Sequence, residues 1–332
     1  MALTAIPIPL PPHYSSQNAG RVLSSRSLRP KSRARARALP TPPRAHLDPP
    51  SAAAAADGKE DDGSPSFSVV AAMKSLHNDI LVVDDASSRF LLLDSSHNIH
   101  SMLSKKQKWT GSYWDDFASL PAIIPQGPIG ILGLGAGTAA HLMLETWPSL
   151  HIEGWEIDEI LIDMAREYFG LSDLEEFTQA GGSLSVHIGD ALSPSVAVEG
   201  GFAGIIVDLF SDGKVLPQLK QDATWLEIEK KLMSNGRIMV NCGGAHSELS
   251  SSGDQAAYAN ASPKGSWLQN STIKALCQAF PGRLSWKKMA EDESDNYLAL
   301  TGPVPDLDAW SASLPSPLST NVKYWRPCEL AS

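Results

Sequence analysis

The sequence predicts an α/β protein in which a doubly wound, mostly parallel sheet follows a small antiparallel β domain. Two observations support this prediction. From residue 128 onward, short apolar runs typical of buried strands alternate with stretches of helical length, which is the pattern of a parallel sheet covered by helices. Before residue 128, short runs rich in Val, Leu and Phe are separated only by polar turns, which is typical of an antiparallel sheet.

The first 66 residues differ in composition from the rest of the chain. Residues 1–47 contain eight Lys or Arg and no Asp or Glu, and they are rich in Ser, Ala and Pro. This composition is typical of an organelle transit peptide, and the Ser and Pro content favours the chloroplast stroma over the mitochondrion. The alternative is a basic tail that binds nucleic acid or membrane surfaces. Residues 48–66 have the Ala-, Pro- and Gly-rich, acidic composition of a linker.

The small β domain is predicted to span residues 67–127. Its strands correspond to the runs FSVVAAM, DILVVDD and RFLLLD. A short helix is expected next, in the run WTGSYWDDFASLPAIIP, because Pro121 and Pro125 would end it.

The larger domain is predicted to span residues 128–302, with an irregular tail at 303–332. Its strands are expected at residues 129–134, 151–156, 185–188, 204–209, 236–241, 284–288 and 296–300. Its helices are expected at residues 138–146, 159–169, 171–179, 223–233 and 267–280. In such a sheet, ligands bind at the carboxyl ends of the strands, so the residues that end each strand are the first candidates for a site. Residues 243–266 form a long polar stretch, which is expected to be a mobile lid.

Charge and cysteine content exclude several classes of function. The chain has 27 Lys and Arg residues, and 19 of them remain when the eight in the predicted transit peptide are left out. Against 37 Asp and Glu residues, they give a net charge of −18. Such a surface repels nucleic acid and suits a neutral or cationic small ligand. The chain has no uninterrupted apolar run of about 18 residues, so no membrane-spanning helix is expected. Cys242, Cys277 and Cys328 lack the spacing of a metal site and are expected to be unpaired, as suits a reducing compartment.

A glycine-rich turn follows the first strand of the larger domain. Gly133, Gly135 and Gly137 let the backbone approach a ligand closely. A turn that binds nicotinamide dinucleotides has its third glycine three residues after the second, and Thr138 occupies that position here. The observed Gly-x-Gly-x-Gly spacing is that of class I S-adenosylmethionine-binding, Rossmann-like proteins.

Three carboxylates end the strands that follow this turn. Glu156 ends the second strand, where a carboxylate can accept hydrogen bonds from both ribose hydroxyls; a role at the helix N-terminus suits Asp158 better. Asp190 follows the third strand and could bind an adenine amino group, with the Ala191 amide at a ring nitrogen, or it could cap a helix. Asp208 follows the fourth strand, under the expected sulfonium, with a turn-forming role as the alternative. Together they indicate a nucleoside site.

These residues resemble the spermidine synthase group of polyamine aminopropyltransferases over residues 76–302. The similar segments are RFLLLD, SYWDDFASLPAI, the GDA after the third strand and GIIVDLF. The resemblance implies an aminopropyl donor of the S-adenosylmethionine type and an amine acceptor, with Asp208 binding the ammonium and taking its proton. It also implies that Tyr113 and Asp115 hold the amine and that Asp212 stands for a second catalytic-loop acid. Family members often form dimers through the β domain, and the resemblance permits a homodimer here.

The sequence also departs from the family pattern. Ala136 occupies a position where family enzymes have an acid that binds the donor's amino group, and Asn98 replaces a glutamine. Three hypotheses therefore stay open. The protein could be an aminopropyltransferase using decarboxylated S-adenosylmethionine, a methyltransferase using S-adenosylmethionine itself, or a non-catalytic homologue that binds the nucleoside. Ala136 slightly favours the second, because it removes a charge that would repel the methionine carboxylate.

Overall fold

The computed structural model describes residues 67–96, 98–244, 266–289 and 296–328. The predicted transit peptide and linker, and residues 245–265 of the predicted lid, lie outside the described residues. The bounds of the strands are as follows: β1 Ser68–Lys74, β2 Asp79–Asp84, β3 Ser88–Leu92, β4 Ser101–Ser104, β5 Ile129–Leu132, β6 His151–Glu156, β7 Ser183–Ile188, β8 Phe202–Val207, β9 Phe210–Ser211, β10 Lys214–Val215, β11 Leu232–Gly244, β12 Leu284–Lys288, β13 Asn296–Thr301 and β14 Arg326–Pro327. The bounds of the α-helices are as follows: α1 Tyr113–Phe117, α2 Thr138–Thr146, α3 Glu159–Tyr168, α4 Leu171–Glu175, α5 Asp222–Glu229, α6 Ser271–Ala279, α7 Leu307–Ala312 and α8 Leu318–Asn321.

The N-terminal part is a four-stranded antiparallel sheet in the order β1-β2-β3-β4, which confirms the predicted small β domain. Three of its strands were expected from their apolar runs. The fourth, β4, has only four residues and two of them are serines, so its sequence has little of the alternation that identifies a strand. The predicted helix is shorter than expected: α1 ends at Phe117, and Pro121 instead lies in the first turn of a separate 3-10 helix, Leu120–Ile123.

The main sheet has eight strands in the order β14-β12-β13-β11-β8-β5-β6-β7. The pairs β11·β8, β8·β5, β5·β6 and β6·β7 are parallel, whereas β13, β12 and β14 add an antiparallel edge, so the sheet is mixed. The chain order reverses at β5, because β6 and β7 lie to one side of it and β8 and β11 to the other. This is the doubly wound arrangement that the sequence predicts, and it opens a crevice at the carboxyl end of β5.

Side chains alternate between two apolar layers along each central strand. Ile129 and Ile131 of β5 pack with α1, α2 and α3 on one face, whereas Leu132 packs with α5 and α6 on the other. On β8, Ile206 faces the first layer and Ile205 the second. Because helices cover both faces of the sheet, β5 and β8 are apolar throughout. A continuous apolar run of this kind is visible in the sequence, so both strands could be predicted.

Two predicted helices were too long. Residues 223–233 were expected to be one helix, but α5 ends at Glu229 and β11 already begins at Leu232, which pairs with Phe202 of β8. Pairing with the neighbouring strand thus overrides the helical pattern of the sequence. The helix predicted at 171–179 is the five-residue α4, which gives way to extended backbone at Glu176. None of the described helices is long and apolar enough to cross a bilayer.

The prediction of an irregular C-terminal tail was wrong in part. It contains α7, α8 and the edge strand β14, which pairs with β12. Asp306 caps α7 by accepting hydrogen bonds from the backbone N–H groups of Asp308 and Ala309. These elements are too short for a helical or strand pattern to be visible in the sequence.

The expectation of three unpaired cysteines was also wrong. Cys277 of α6 and Cys328, just after β14, form a disulfide that does not include the buried Cys242. Residue spacing gave no sign of this pair, since the two cysteines are 51 residues apart and meet only after β14 joins the sheet.

Helix α1 is tied to the C-terminal part of the chain. The ammonium of Lys287 lies 2.8 Å from Asp116 Oδ1, and both side chains are almost completely buried. Lys287 also donates to the carbonyl of Asn321, and the indole N–H of Trp310 donates to the carbonyl of Ser119. Burial raises the pKa of Asp116, and the nearby Lys287 offsets part of that rise. These contacts fix the helix that bears Tyr113.

Candidate functional site

A cavity of about 780 Å³ lies at the carboxyl ends of the parallel strands. Its wall includes residues that follow β5, β6, β7 and β8, together with residues of β11 and of the N-terminal sheet. The predicted site residues that line it are Tyr113, Gly133, Gly135, Glu156, Asp190, Ala191 and Asp208. This volume is in the range of small-molecule sites.

The glycine turn lets the ends of two strands meet. Gly133 has a φ of 89°, and a Cβ at this position would collide with the backbone carbonyl of Asp208. A side chain here would therefore push β5 and β8 apart at the bottom of the cavity. Gly137, the third predicted cofactor-binding glycine, does not line the cavity; a Cβ there would lie 2.6 Å from Leu171 Cδ1. Its role in the structure is close packing of α2 against α4.

Glu156 is held by the backbone on both sides. The Gly135 N–H donates to Glu156 Oε2 at 3.0 Å, while the N–H groups of Ile157 and Asp158 donate to Oε1 at 2.9 and 3.2 Å. Burial raises the pKa of this carboxyl, and the hydrogen bonds from the backbone offset part of that rise. The helix-capping role belongs to Asp158, which accepts from Leu161 N–H. Glu156 is thus a fixed acceptor that joins the glycine turn to the end of β6.

Asp190 and Ala191 lie side by side after β7. Asp190 is exposed and its Oδ1 accepts a hydrogen bond from the Leu192 N–H at 2.9 Å, which closes an Asx turn. Ala191 is buried. Both residues line the cavity, so the turn-forming role of Asp190 and the predicted adenine-binding role are compatible.

Asp208 is the most perturbed acid of the cavity. The Tyr113 hydroxyl donates to its Oδ2 at 3.2 Å, and the Asn241 side-chain amide donates to its Oδ1 at 2.9 Å. Burial raises its pKa to about 6, and hydrogen bonds from Asn241, Tyr113 and Trp114 offset part of that rise. A carboxylate with this pKa is ionised at pH 7 and takes up a proton more readily than an ordinary aspartate.

Tyr113 stays neutral beside this acid. Burial, followed by the charge of Asp208, raises the pKa of the phenol well above its usual value. The hydroxyl therefore remains a hydrogen-bond donor over the whole neutral range. Its ring packs on Trp114 and Phe117, which are also residues of α1.

Two predicted substrate-binding acids do not line the cavity. Asp115 is buried and turns back on its own loop, where it accepts from the Thr110 N–H and hydroxyl and from the Gly111 N–H. Asp212 is exposed at the tip of the β9–β10 hairpin, with positive φ at both Asp212 and Gly213, as a two-residue turn requires. Both acids therefore serve a local turn, which is a common role of aspartate in loops.

Several cavity residues were not predicted. Asn241 follows from the rule that strand ends form the site, because it lies near the end of the fifth parallel strand, and that signal was overlooked. Asn78 belongs to the turn after β1, lines the cavity and donates to Asp158 at 2.6 Å. His100 also lines the cavity. Asn78 and His100 come from the N-terminal sheet, and nothing in their local sequence indicates which part of the main sheet they meet.

The charge of the cavity is negative. Among the described residues that line it, Glu156, Asp190 and Asp208 are acidic, and none is Lys or Arg. A region of this kind favours a cationic ligand and disfavours one that bears a carboxylate.

Comparison with models of known protein families gives no match. The chain is 24% identical over 216 residues to a curated protein, the probable polyamine aminopropyl transferase of Bifidobacterium longum. The match covers 63% of this chain and 46% of the relative, so the chain spans less than half the length of that relative.

Two solved structures share the architecture. A probable spermidine synthase from Corynebacterium glutamicum matches with a TM-score of 0.52 and 16% identity, over 74% of this chain and 86% of that chain. The spermidine synthase from Thermotoga maritima matches with a TM-score of 0.50 and 14% identity, over 72% of this chain and 74% of that chain. At such identities the likeness shows the fold: this chain has the α/β fold of spermidine synthases, with its antiparallel N-terminal sheet.

Proposed function

We propose that this protein is an aminopropyltransferase that uses decarboxylated S-adenosylmethionine as donor and a polyamine as acceptor. The observation that supports this most directly is Asp208, with its raised pKa, fixed by Tyr113 and Asn241 beside the glycine turn. The spermidine synthase fold and the similarity to a probable polyamine aminopropyl transferase point the same way.

The proposed reaction needs one proton acceptor and no metal. The acceptor amine enters as an ammonium, and the Asp208 carboxylate takes one of its protons. The freed nitrogen lone pair attacks the methylene carbon attached to the sulfonium; the C–N bond forms as the C–S bond breaks. The electron pair of the broken bond neutralises the sulfonium, and the products are the extended polyamine and methylthioadenosine. Tyr113 and Asn241 hold the carboxylate in place for the transfer.

The nucleoside part of the donor is assigned to the other end of the cavity. In this proposal Glu156 accepts hydrogen bonds from the ribose hydroxyls, while Asp190 and the Ala191 amide bind the adenine edge. Gly133 and Gly135 allow the backbone to lie close to the donor. The backbone bonds that already hold Glu156 would keep its orientation fixed when the donor binds.

The charge of the cavity favours the decarboxylated donor. S-adenosylmethionine carries an α-carboxylate, which would need a cationic partner, and no Lys or Arg lines the cavity among the described residues. The decarboxylated form brings only a sulfonium and an ammonium, two positive charges that suit a negatively charged cavity. Ala136 removes an acid that would repel the α-carboxylate, but it supplies no positive charge that would attract it. The cavity therefore favours the decarboxylated donor, and a methyltransferase is the less favoured alternative.

The direct test is calorimetric titration of the protein with each donor, followed by turnover assays with putrescine and spermidine. We expect the decarboxylated donor to bind at least tenfold more tightly and methylthioadenosine to be released only when an amine is present. Tighter binding of S-adenosylmethionine would instead indicate a methyltransferase. Binding without turnover for any amine would indicate the non-catalytic homologue.

We also propose that two copies associate through the N-terminal sheet. Strand β1 is an edge strand, and Phe67, Val69 and Met73 on and beside it are each at least half exposed. Exposed apolar edge strands readily pair with another chain. Sedimentation velocity should show a dimer that Val69→Lys converts to a monomer. A wild-type monomer, or a dimer that the substitution leaves intact, would contradict this proposal.

The proposed location is the chloroplast stroma, with the mitochondrion as the alternative. Its support is the acid-free, Ser- and Arg-rich composition of residues 1–47. Residues 1–66 fused to a fluorescent protein should direct it to chloroplasts in plant cells. Retention of the fusion in the cytosol would contradict the transit-peptide interpretation.

A further inference from the structure

An imidazole that the proposed reaction does not use lines the cavity and faces a carboxylate behind it. Asp94 follows β3, and His100 lies just before β4 and lines the cavity. Asp94 Oδ2 and His100 Nε2 are 3.4 Å apart, and the two side chains are only 12% and 15% exposed. Apart from facing each other, these two buried atoms have no hydrogen-bond partner among the described residues. We refer to the two residues as the Asp94–His100 pair.

This contact distinguishes the two ring nitrogens of His100. A carboxylate beside Nε2 favours the tautomer with its proton on Nε2, which leaves Nδ1 as a hydrogen-bond acceptor for a ligand in the cavity. Burial lowers the pKa of His100, and Asp94 offsets part of that effect. The imidazole is therefore mainly neutral at pH 7, and the pair as a whole bears the negative charge of Asp94.

The backbone of His100 lies beside the glycine turn, at a different point from that of Asp208. A Cβ on Gly135 would lie 2.8 Å from Ser101 Oγ and 3.6 Å from the carbonyl of His100. Ser101 Oγ also accepts a hydrogen bond from the Ala136 N–H. The backbone carbonyl of Asp208, by contrast, approaches the turn at Gly133. His100 and Asp208 thus border the turn at two separate points, and each belongs to a polar centre that includes a carboxylate.

We propose that the Asp94–His100 pair binds the terminal ammonium of the donor's aminopropyl chain, with His100 as the hydrogen-bond acceptor. This inference rests on the proposed function, in which the cavity holds two aliphatic nitrogens at once. Asp208, held in place by Tyr113 and Asn241, binds the nucleophilic nitrogen of the acceptor. The donor's own ammonium then binds at the Asp94–His100 pair. The negative charge of this pair attracts an ammonium and repels an α-carboxylate.

The test compares two ligands that differ only in the aminopropyl chain and the charge on sulfur. Decarboxylated S-adenosylmethionine and methylthioadenosine are titrated into wild-type protein and into His100→Phe and Asp94→Asn variants. We expect His100→Phe to weaken binding of the decarboxylated donor by about 10- to 100-fold, the effect of one hydrogen bond to a charged group. Asp94→Asn, which removes charge but keeps an acceptor, should have a smaller effect in the same direction. Methylthioadenosine should bind each protein within about threefold of wild type.

His151→Phe is the matched control, because His151 is exposed at the amino end of β6, opposite the cavity. It should change neither affinity. Equal weakening of both ligands by His100→Phe would overturn the proposal, since it would indicate a distorted cavity. Unchanged affinity for both ligands, or a change confined to the KM of the amine acceptor, would also overturn it. If wild-type protein bound neither ligand, the proposed function itself would fail, so the two failures are distinguishable.

Discussion

The two ends of the cavity differ in how well their residues follow from the sequence. At the end proposed to hold the nucleoside, Glu156, Asp190 and Ala191 all line the cavity, as do two of the three glycines. At the end proposed to hold the amine, Asp208 and Tyr113 line the cavity, whereas Asp115 and Asp212 serve local turns. The nucleoside end is formed by strand ends, which a parallel sheet necessarily gathers at one edge. The amine end also depends on a helix and a hairpin, where local hydrogen bonding decides the direction of each side chain.

The largest expected effect lies at the amine end. Asp208→Asn should reduce turnover by about 10²- to 10⁴-fold, because the base is lost, while affinity for methylthioadenosine stays within about threefold. Steady-state kinetics and calorimetry measure the two quantities. Asp212→Asn is the control, since this exposed hairpin residue does not line the cavity, and its turnover should match wild type. Normal turnover in Asp208→Asn would remove Asp208 as the base.

The same substitution should stabilise the fold. The pKa of Asp208 is raised to about 6. Between pH 4 and 6 the unfolded chain ionises this group while the folded protein keeps it protonated, so stability falls with rising pH and the cost is constant above pH 6. At pH 7 the cost is at most about 3 kcal/mol, and Asp208→Asn removes it. Denaturant unfolding should show this gain at pH 7 and its disappearance near pH 4. A gain that is the same at both pH values would contradict this explanation.

A smaller effect is expected at the nucleoside end. Glu156→Ala removes the acceptor of the ribose hydroxyls and leaves the Gly135 N–H without its partner, so methylthioadenosine should bind about 30-fold more weakly. Glu156→Gln keeps the shape and one acceptor oxygen and should lose less. Calorimetry measures both variants. Equal affinity in Glu156→Ala and wild type would refute the ribose assignment.

The smallest effect should come from Tyr113→Phe. Loss of the hydroxyl removes one donor to Asp208, which should raise the pKa of that carboxyl above its wild-type value. In wild type we expect kcat/KM to fall about tenfold per pH unit below pH 6, where the base becomes protonated. In Tyr113→Phe this limb should move to higher pH, with only a few-fold loss at pH 8. An unmoved limb would show that Tyr113 acts independently of Asp208.

Much of the fold could be predicted because its central strands are buried on both faces and therefore continuously apolar. The antiparallel edge and the disulfide could not, because Cys277 and Cys328 meet only through the pairing of β14 with β12. In the site, a position at the end of a parallel strand identifies most of the predicted residues that line the cavity. The same rule would have identified Asn241, which was not predicted. His100 and Asn78 could not be placed, because their contribution depends on how the N-terminal sheet packs on the main one.

The contacts that hold α1 have a consequence for the order in which the site is assembled during synthesis. The indole of Trp310 bonds to Ser119, 191 residues earlier in the chain. At roughly 5–20 residues per second, a ribosome needs about 10 to 40 seconds to add that stretch. Glu156, Asp190 and Asp208 have all been translated well before Trp310 and Lys287 are available to fix the helix of Tyr113. A nascent chain would thus be able to form the surface proposed to bind the nucleoside before it can complete the one proposed to bind the amine.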